Sequence, residues 1–529
     1  MPFKPSTVAA LFLAAFSFSG IALASDGTKA PASSATPYVV GSSPGVKVIS
    51  LLTVGDKVNG AREGATPYRM VGIPDGLGAF DNGDGSFTLL MNHELGPDSG
   101  SVRRHGQKGS FVSKWRIRKS DLAVLQGEDL VGTVMGWDAA AGRFVASASP
   151  FARFCSADLA PESAFFNRRS GRGFAGRIFL NGEEIGAEGR AFAHLATGDN
   201  AGFSFELPSL GRLSWENAVA SPFEQDKTIV IGQDDSTPGQ VYVYIGEKQA
   251  AGSEIERAGL HGGQLYGIAV HGFPSEDDAK AETRHAGIPN GTRFALKSLG
   301  DVRGLSGKQL QEASTAAGVT EFLRPEDGAW HPRQPHVYYF ATTDRFDMAK
   351  AGTGKLAARS RLYRLSFDDI RHPEKGGRID TLLDGTGPYQ MLDNLTVDGD
   401  GNLLLQEDPG NQDYLAGIWQ YRPRDGRLVK VASHDPKRFA PAVAPFNVDE
   451  ESSGIIEVTD LLRPAKGLKW RGRQGGKQVD AGFKGWRPDT RYFLATSQAH
   501  YALPQEPELV EGGQLFLLAV PKRAGAAKH

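Results

Sequence analysis

The chain of 529 residues reads as all-β, and within that class as a β-propeller, on three observations. Short apolar runs recur from about residue 45 to residue 520, Gly, Asp and Asn turns separate them, and no βαβ alternation interrupts them. The 66 glycines and 30 prolines supply the tight turns that antiparallel meanders need. Meanders repeated over this length are best accommodated as blades around an axis, because radial repetition leaves only short edges. The repeat is irregular in sequence, so the expectation rests on strand spacing and not on a motif period.

The expected strands follow the turns in order. Residues 86–91 come after the DNGDG turn at Asp81, then 228–231, then 240–245 after the DDSTPG turn at Asp234. Residues 336–342, 362–366, 402–406 after VDGDG at Val397, 417–421, 492–495 and 514–519 continue the series. Helical patterns are few, and 307–317 is the clearest. The expected organisation is one propeller domain over 45–525, with a leader at 25–44 and polar insertions near 250–300 and 465–490.

The first 24 residues predict a secretory signal peptide: Lys4 precedes an apolar run over 8–23, and Ala22, Leu23 and Ala24 form a small-x-small site before Ser25. A membrane anchor is the alternative, but that run is short and holds Ser17, Ser19 and Gly20. The expected location is therefore periplasmic or secreted, without stable membrane insertion. A single cysteine, Cys155, excludes an internal disulfide, so stability has to come from a buried core. A formal net charge of -2 offers no basic field for nucleic acid.

Polar residues beside the strands carry the chemistry. Asn92, His93 and Glu94 follow the apolar run that ends at Met91. Glu216 with Asn217, Asp234 with Asp235, Glu326 with Asp327 after Arg324, Asp393 with Asn394, and Glu407 with Asp408 come later. Calcium takes six to eight oxygens and ferric iron also favours carboxylates, so several such pairs at one axis could fill two or more metal sites. DNGDG and VDGDG read as hairpin turns, since neither carries the glutamate at the twelfth position of a calcium loop. ENAVASP, RPEDG and QEDPGN read as ligand strings, because their acids stand against apolar runs where an unpaired charge is costly. Cys155 reads either as a ligand or as a small buried apolar residue, and His93 and His194 either as ligands or as satisfied core histidines. No nucleophile elbow, P-loop or zinc helix motif is present.

The strings GRLSWENAVASP, IGQDDSTPGQVYVYIG, RPEDGAWHP, YYFATTDRF, PYQMLDNLTVDGDGNLLLQEDPGNQ and DEESSGIIEV, in that order, resemble the PhoX-type alkaline phosphatase family. The resemblance runs from VGDKV near residue 54 to about Ser497. It implies a six-bladed propeller, a mixed iron and calcium cofactor in its channel, and hydrolysis of phosphate monoesters. It also implies that Glu216 ligates iron, that Arg324 contacts phosphate while Glu326 binds metal, and that Asp393, Asn394 and Glu407 hold family ligand positions. The NHE string falls at Asn92 to Glu94. Family members carry one cysteine near an early small-residue segment and another directly before a paired glutamate. Here Cys155 matches the first, whereas Gly182 stands before Glu183 and Glu184. If the iron-bridging thiolate is the second one, this chain has lost it and calcium or another hard cation remains.

Taken together, Arg324 and Asn92 are expected to act on the substrate. Cys155, Glu94, Glu183, Glu216, Asp234, Asp235, Glu326, Asp327, Asp393, Asn394, Glu407 and Asp408 are expected to bind calcium and iron. The expected protein is a monomeric phosphomonoesterase acting on a small molecule. The competing readings are a calcium-binding propeller that does not catalyse, and one that hydrolyses another ester in the manner of a lactonase or phytase.

Overall fold

The computed structural model describes residues 28–61, 64, 66–276, 288–344, 360–410, 414–464 and 482–524. Six antiparallel blades surround one axis. Their innermost strands are Pro74–Asp81 (blade 1), Phe154–Asp158 (blade 2), Trp215–Ala220 (blade 3), Pro325–Trp330 (blade 4), Leu392–Val397 (blade 5) and Glu450–Glu457 (blade 6). Each touches the next, and the sixth touches the first, so the ring closes.

Apolar residues explain the closure. Six buried clusters fill the six gaps between neighbouring blades. Leu90, Phe154 and Phe179 lie between blades 1 and 2, Leu180, Trp215 and Tyr242 between 2 and 3, and Ile231, Phe322 and Phe340 between 3 and 4. Tyr339, Leu395 and Trp419 follow between 4 and 5, Leu404, Phe493 and Phe516 between 5 and 6, and Leu77, Trp115 and Leu494 between 6 and 1. Strands buried on both faces therefore read as near-continuous apolar runs, as Ser86–His93 and Val337–Thr342 do. Truncating one fully buried aromatic such as Phe179 would cost about 3–5 kcal/mol.

The N-terminal strands stitch the ring. Lys47–Thr53 pairs antiparallel with Glu511–Pro521 and completes blade 6 with the other end of the chain. Val39–Gly41 adds an edge to blade 5, and Lys57–Gly60 runs parallel to Val124–Asp129 at the edge of blade 1. The segment read as a leader thus supplies a blade strand, because Val39 is an apolar residue that fills the gap between blades 5 and 6. The region read as a polar insertion near 250–300 differs in the same way. Gln264–Val270 is the fourth strand of blade 3, and Thr292–Gly300 pairs with both it and Gly377–Leu383, fusing blades 3 and 4 into one nine-stranded sheet. The helix spans Gly307–Ala317, with Ser306 and Gln309 forming a capping box and Gly318 ending it at φ 72°. The expected signal peptide and most of the 465–490 loop lie outside the described residues. Among the described residues no helix is long and apolar enough to cross a membrane.

Candidate metal centre

All six innermost strands carry a β-bulge at the same level. Register shifts leave Asp75-Gly76, Cys155-Ser156, Glu216-Asn217, Glu326-Asp327, Asp393-Asn394 and Ser453-Gly454 as the extra pair of blades 1 to 6. A bulge re-aims a side chain out of the regular alternation, and here it brings the first member of the pair to the axis. The glycines answer a close approach: a Cβ at Gly454 would stand 2.5 Å from Asp75 O, and one at Gly76 2.3 Å from Ala157 N.

The second strand of each blade contributes one more level. Glu94, Glu184, Asp235, Thr343 and Asp408 each directly follow that strand in blades 1 to 5. Their backbone N–H groups donate to Ile73, Arg153, Ser214, Arg324 and Met391 at 2.8–3.0 Å. Ile73, Arg153, Arg324 and Met391 have positive φ (50°, 45°, 55° and 51°), a strained conformation for residues with a Cβ and one that concentrates at functional sites.

Three overlapping trios result: Asp75, Glu94 and Cys155; Cys155, Glu184 and Glu216; Glu216, Glu326 and Asp393. Within each trio the ligand atoms lie within 4.8 Å of one another, and Cys155 and Glu216 are each shared by two. Two cations face them. Arg324 forms a bidentate pair with Asp235 at 2.8 Å and 2.8 Å and reaches Glu326 at 3.2 Å. Arg153 Nη2 lies 2.7 Å from Glu94 and 2.6 Å from Glu184. Blade 6 closes the ring with neutral donors: Gln498 Nε2 donates to Asp75 at 2.9 Å and Glu94 at 3.1 Å, and Ser453 Oγ to Asp75 at 2.7 Å.

The electrostatics fit a cation. Burial, then the neighbouring carboxylates, pushes Asp75, Glu216, Glu326 and Asp393 well above the usual carboxylate range, and burial and Asp75 push the Cys155 thiol up. Packing this many carboxyls together is costly unless a positive charge joins them. Asp75 Oδ1, Asp393 Oδ1, Asn394 Oδ1 and Gln498 Oε1 are buried and make no hydrogen bond among the described residues. The donor set of carboxylates with one thiol suits hard cations together with a transition ion such as iron.

Several residues expected as ligands are placed elsewhere, and the pleat is the reason. Glu183, Asp234 and Glu407 end their strands facing away from the axis, and the next residue faces it. Glu183 instead binds Arg190 at 2.7 Å twice, Asp234 accepts from Ser214 N at 3.1 Å, and Glu407 accepts from Gln390 N and Gly417 N at 2.9 and 2.8 Å. Asp327, second in its bulge, is held by Asn217, Gly328 N and Leu395 N. Asn92 donates to Cys155 O at 2.7 Å and accepts from Asn181 at 2.9 Å, so it braces the blade 2 bulge and does not reach the centre. Asn394 Nδ2 donates to Ser156 Oγ. Asp408 stands by the backbone of Gly410, where burial and then Glu451 push its carboxyl up to about 7. His93, stacked on Phe111 and bonded to Ser113, and His194, bonded to Asn181 among phenylalanines, are core histidines. DNGDG and VDGDG are turns, their Asp81 and Asp398 accepting from Gly83 N and Asp400 N.

The structure adds Asp75, Glu184, Arg153, Ser453 and Gln498. For Asp75 and Ser453 the signal in the sequence is an aligned triplet that opens on an inward polar residue followed by a small or polar partner: DGL, CSA, ENA, EDG, DNL and SGI. The thiol question also has a geometric answer. A Cβ at Gly182 would stand 2.3 Å from Trp215 Cβ, so no side chain fits there, and the thiol at the centre is Cys155.

A closed propeller with a buried ring of carboxylates and two arginines at its axis defines a class of propeller-borne site that can gather cations and meet an anion. Residues 203–438 match the family described as Alkaline phosphatase PhoX, the family that the ordered strings resemble. The fold is similar to that of Pseudomonas fluorescens PhoX, solved in complex with vanadate, a transition state analogue. The identity is 12%, the TM-score 0.61, and the similarity covers 94% of this chain and 98% of that one. A putative 6-phosphogluconolactonase from Bacteroides uniformis is 10% identical with a TM-score of 0.28, covering 80% of this chain and 95% of that one. A gluconolactonase from Xanthomonas campestris is 10% identical with a TM-score of 0.26, covering 88% and 98%. No curated protein sequence matches the chain.

Proposed function

We propose that this chain is an exported metal-dependent phosphatase that hydrolyses phosphate monoesters at a multi-ion centre in the propeller channel. The observation that carries the reading is the set of three ligand trios linked through Cys155 and Glu216, with Arg324 beside them. Asp75, Glu94, Glu184, Glu216, Glu326 and Asp393 would hold calcium, and Cys155 with Glu216 would hold iron. When bound, such ions polarise the phosphoryl oxygens and make a water-derived nucleophile available at neutral pH.

The protein's own groups do the rest. Asp235 fixes the plane of the Arg324 guanidinium through Nε and Nη2, and that oriented cation would meet a non-bridging oxygen of the phosphate. Asp235 and Glu326 also hold the guanidinium against rotation, so orientation is settled before substrate arrives. The ring of carboxylates repels an anion unless its charge is offset, so Arg324 supplies an attraction that the bare ring lacks. The signal-like first 24 residues support export, which N-terminal sequencing of the secreted protein would check.

Elemental analysis of the purified protein, with p-nitrophenyl phosphate assayed before and after chelation, tests the reading. Iron with several calcium ions and activity lost on chelation is the expected result. Absence of bound metal, or hydrolysis indifferent to chelator, would overturn it.

A further inference from the structure

Arg153 holds in blade 2 the place that Arg324 holds in blade 4. Each lies two residues before the first member of its bulge, Cys155 or Glu326, and each has left-handed backbone, at 45° and 55°. Each carbonyl accepts from the residue just past its second strand, Glu184 N at 2.9 Å and Thr343 N at 3.0 Å. Each guanidinium reaches back to the strand-end carboxylate of the preceding blade, Arg153 to Glu94 at 2.7 Å and Arg324 to Asp235 at 2.8 Å. Ile73 and Met391 share the backbone conformation without the charge, and blades 3 and 6 have Ser214 and Glu451 there. The left-handed backbone therefore belongs to the fold, whereas a guanidinium at this level occurs twice.

We infer that Arg153 is a second anion-binding arm of the centre, contacting the phosphate dianion from the side of blade 2 while Arg324 contacts it from blade 4. This rests on the phosphomonoesterase reading. The Arg153 side chain is 47% exposed against 19% for Arg324, so a ligand arriving from solvent reaches it more readily. Its Nε and Nη2 are engaged by Glu184 and Glu94, and Nη1 makes no hydrogen bond among the described residues. One donor of the fork is thus available while the other two fix the plane of the group. Two such cations favour a dianionic monoester over a monoanionic diester, which carries one charge fewer and has one more oxygen blocked by a substituent.

The competing role is purely structural, with Arg153 serving only as counter-charge to Glu94 and Glu184. Arg153→Ala separates the two in the metal-loaded protein. The Michaelis constant for p-nitrophenyl phosphate, the inhibition constant of inorganic phosphate and its calorimetric dissociation constant should rise together, by roughly tenfold or more, with kcat moving less. The preference for p-nitrophenyl phosphate over bis(p-nitrophenyl) phosphate should shrink, while metal content and melting temperature stay near wild type. Arg153→Lys keeps the counter-charge without the fork, so it carries the same test if the alanine variant does not fold, with a smaller rise expected. Unchanged phosphate affinity in the lysine variant and in a folded alanine variant overturns the inference, as does a loss of affinity that follows a loss of metal. A wild-type protein that binds metal but hydrolyses neither ester overturns the phosphomonoesterase reading itself, and this inference with it.

Discussion

Ser156 Oγ donates to Glu216 Oε1 at 2.6 Å, so the second bulge residue of blade 2 orients the carboxylate that belongs to two of the three ligand trios. Asn394 Nδ2 donates in turn to Ser156 Oγ at 2.5 Å, which makes one hydroxyl the joint between blades 2, 3 and 5. Partners of this kind fix ligand orientation, and their loss typically costs ten- to a hundredfold in affinity or activity. Ser156→Ala should therefore lower kcat by about tenfold or more while the melting temperature moves little. Steady-state kinetics beside elemental analysis would check this; an unaltered kcat at full metal content would show that Glu216 needs no such support.

The same hydroxyl shows what the sequence made legible. Glu216 and Glu326 were readable because each stands against an apolar run, where an unpaired charge is costly, and Asp393 because it pairs with Asn394 as a second oxygen donor. Asp75 carries no such signal, because it sits in IPDGLG, whose Asp-Gly pair looks like an ordinary turn until the register shows a strand with a bulge. The choice within Glu183-Glu184, Asp234-Asp235 and Glu407-Asp408 depends on pleat phase, which composition does not carry. Arg153 was hidden for another reason: its likeness to Arg324 is one of position within a blade, and the blades share almost no sequence. Strand existence and the helix over Gly307–Ala317 were plain, because turn chemistry and capping residues are local signals. Pairing between the chain's two ends is not local, so the segment holding Val39 could pass for a leader.

Glu326 should matter to activity more than to folding. Its carboxyl accepts from Thr343 Oγ1 at 2.5 Å and faces Arg324 at 3.2 Å, and burial with Asp235 raises it well above the usual range. Glu326→Gln keeps an acceptor for Thr343 but removes a charge shared with Asp393 and Glu216. The expected outcome is a loss of at least about a thousandfold in kcat/KM, together with reduced metal content. Thermal unfolding of the chelated protein should be unchanged or slightly later, since a buried like-charge contact has gone. Full activity on an aryl phosphate would contradict the assignment.

Asp234 separates a structural acid from a ligand through its pH dependence. Burial raises its carboxyl to about 7, against about 3.9 in an unfolded chain. The folded state thus holds a proton that the unfolded state releases. Stability from the protonated form is present at pH 4 and below and is lost as pH rises through 7, at a cost on the order of 2–4 kcal/mol above pH 8. Asp234→Asn retains the acceptor for Ser214 N and carries no such charge. Denaturant unfolding should therefore find the variant similar to wild type near pH 4 and more stable at pH 8.5. A variant that is less stable at pH 8.5 and poorer in metal would instead make Asp234 a ligand.

Glu276 acts on the centre from outside it. Its Oε1 accepts from Thr342 Oγ1 and Arg361 Nη1 at 2.8 Å and from Tyr363 OH at 2.9 Å, and its Oε2 accepts from Leu323 N at 2.8 Å. Thr342 precedes Thr343, which bonds Glu326, and Leu323 precedes Arg324 at its left-handed φ of 55°. One carboxylate therefore ties down both chain segments that carry the blade 4 site. In Glu276→Gln, Arg361, only 2% exposed, loses the charge of Glu276, and an amide N–H group opposes the Leu323 donor. Breaking such a buried pair costs about 3–5 kcal/mol, which denaturant unfolding would measure. The slack passed to Arg324 should also raise the Michaelis constant several-fold at intact metal content, since small misplacements of a positioning group are costly. A destabilised variant with an unchanged Michaelis constant would confine Glu276 to holding the sheet.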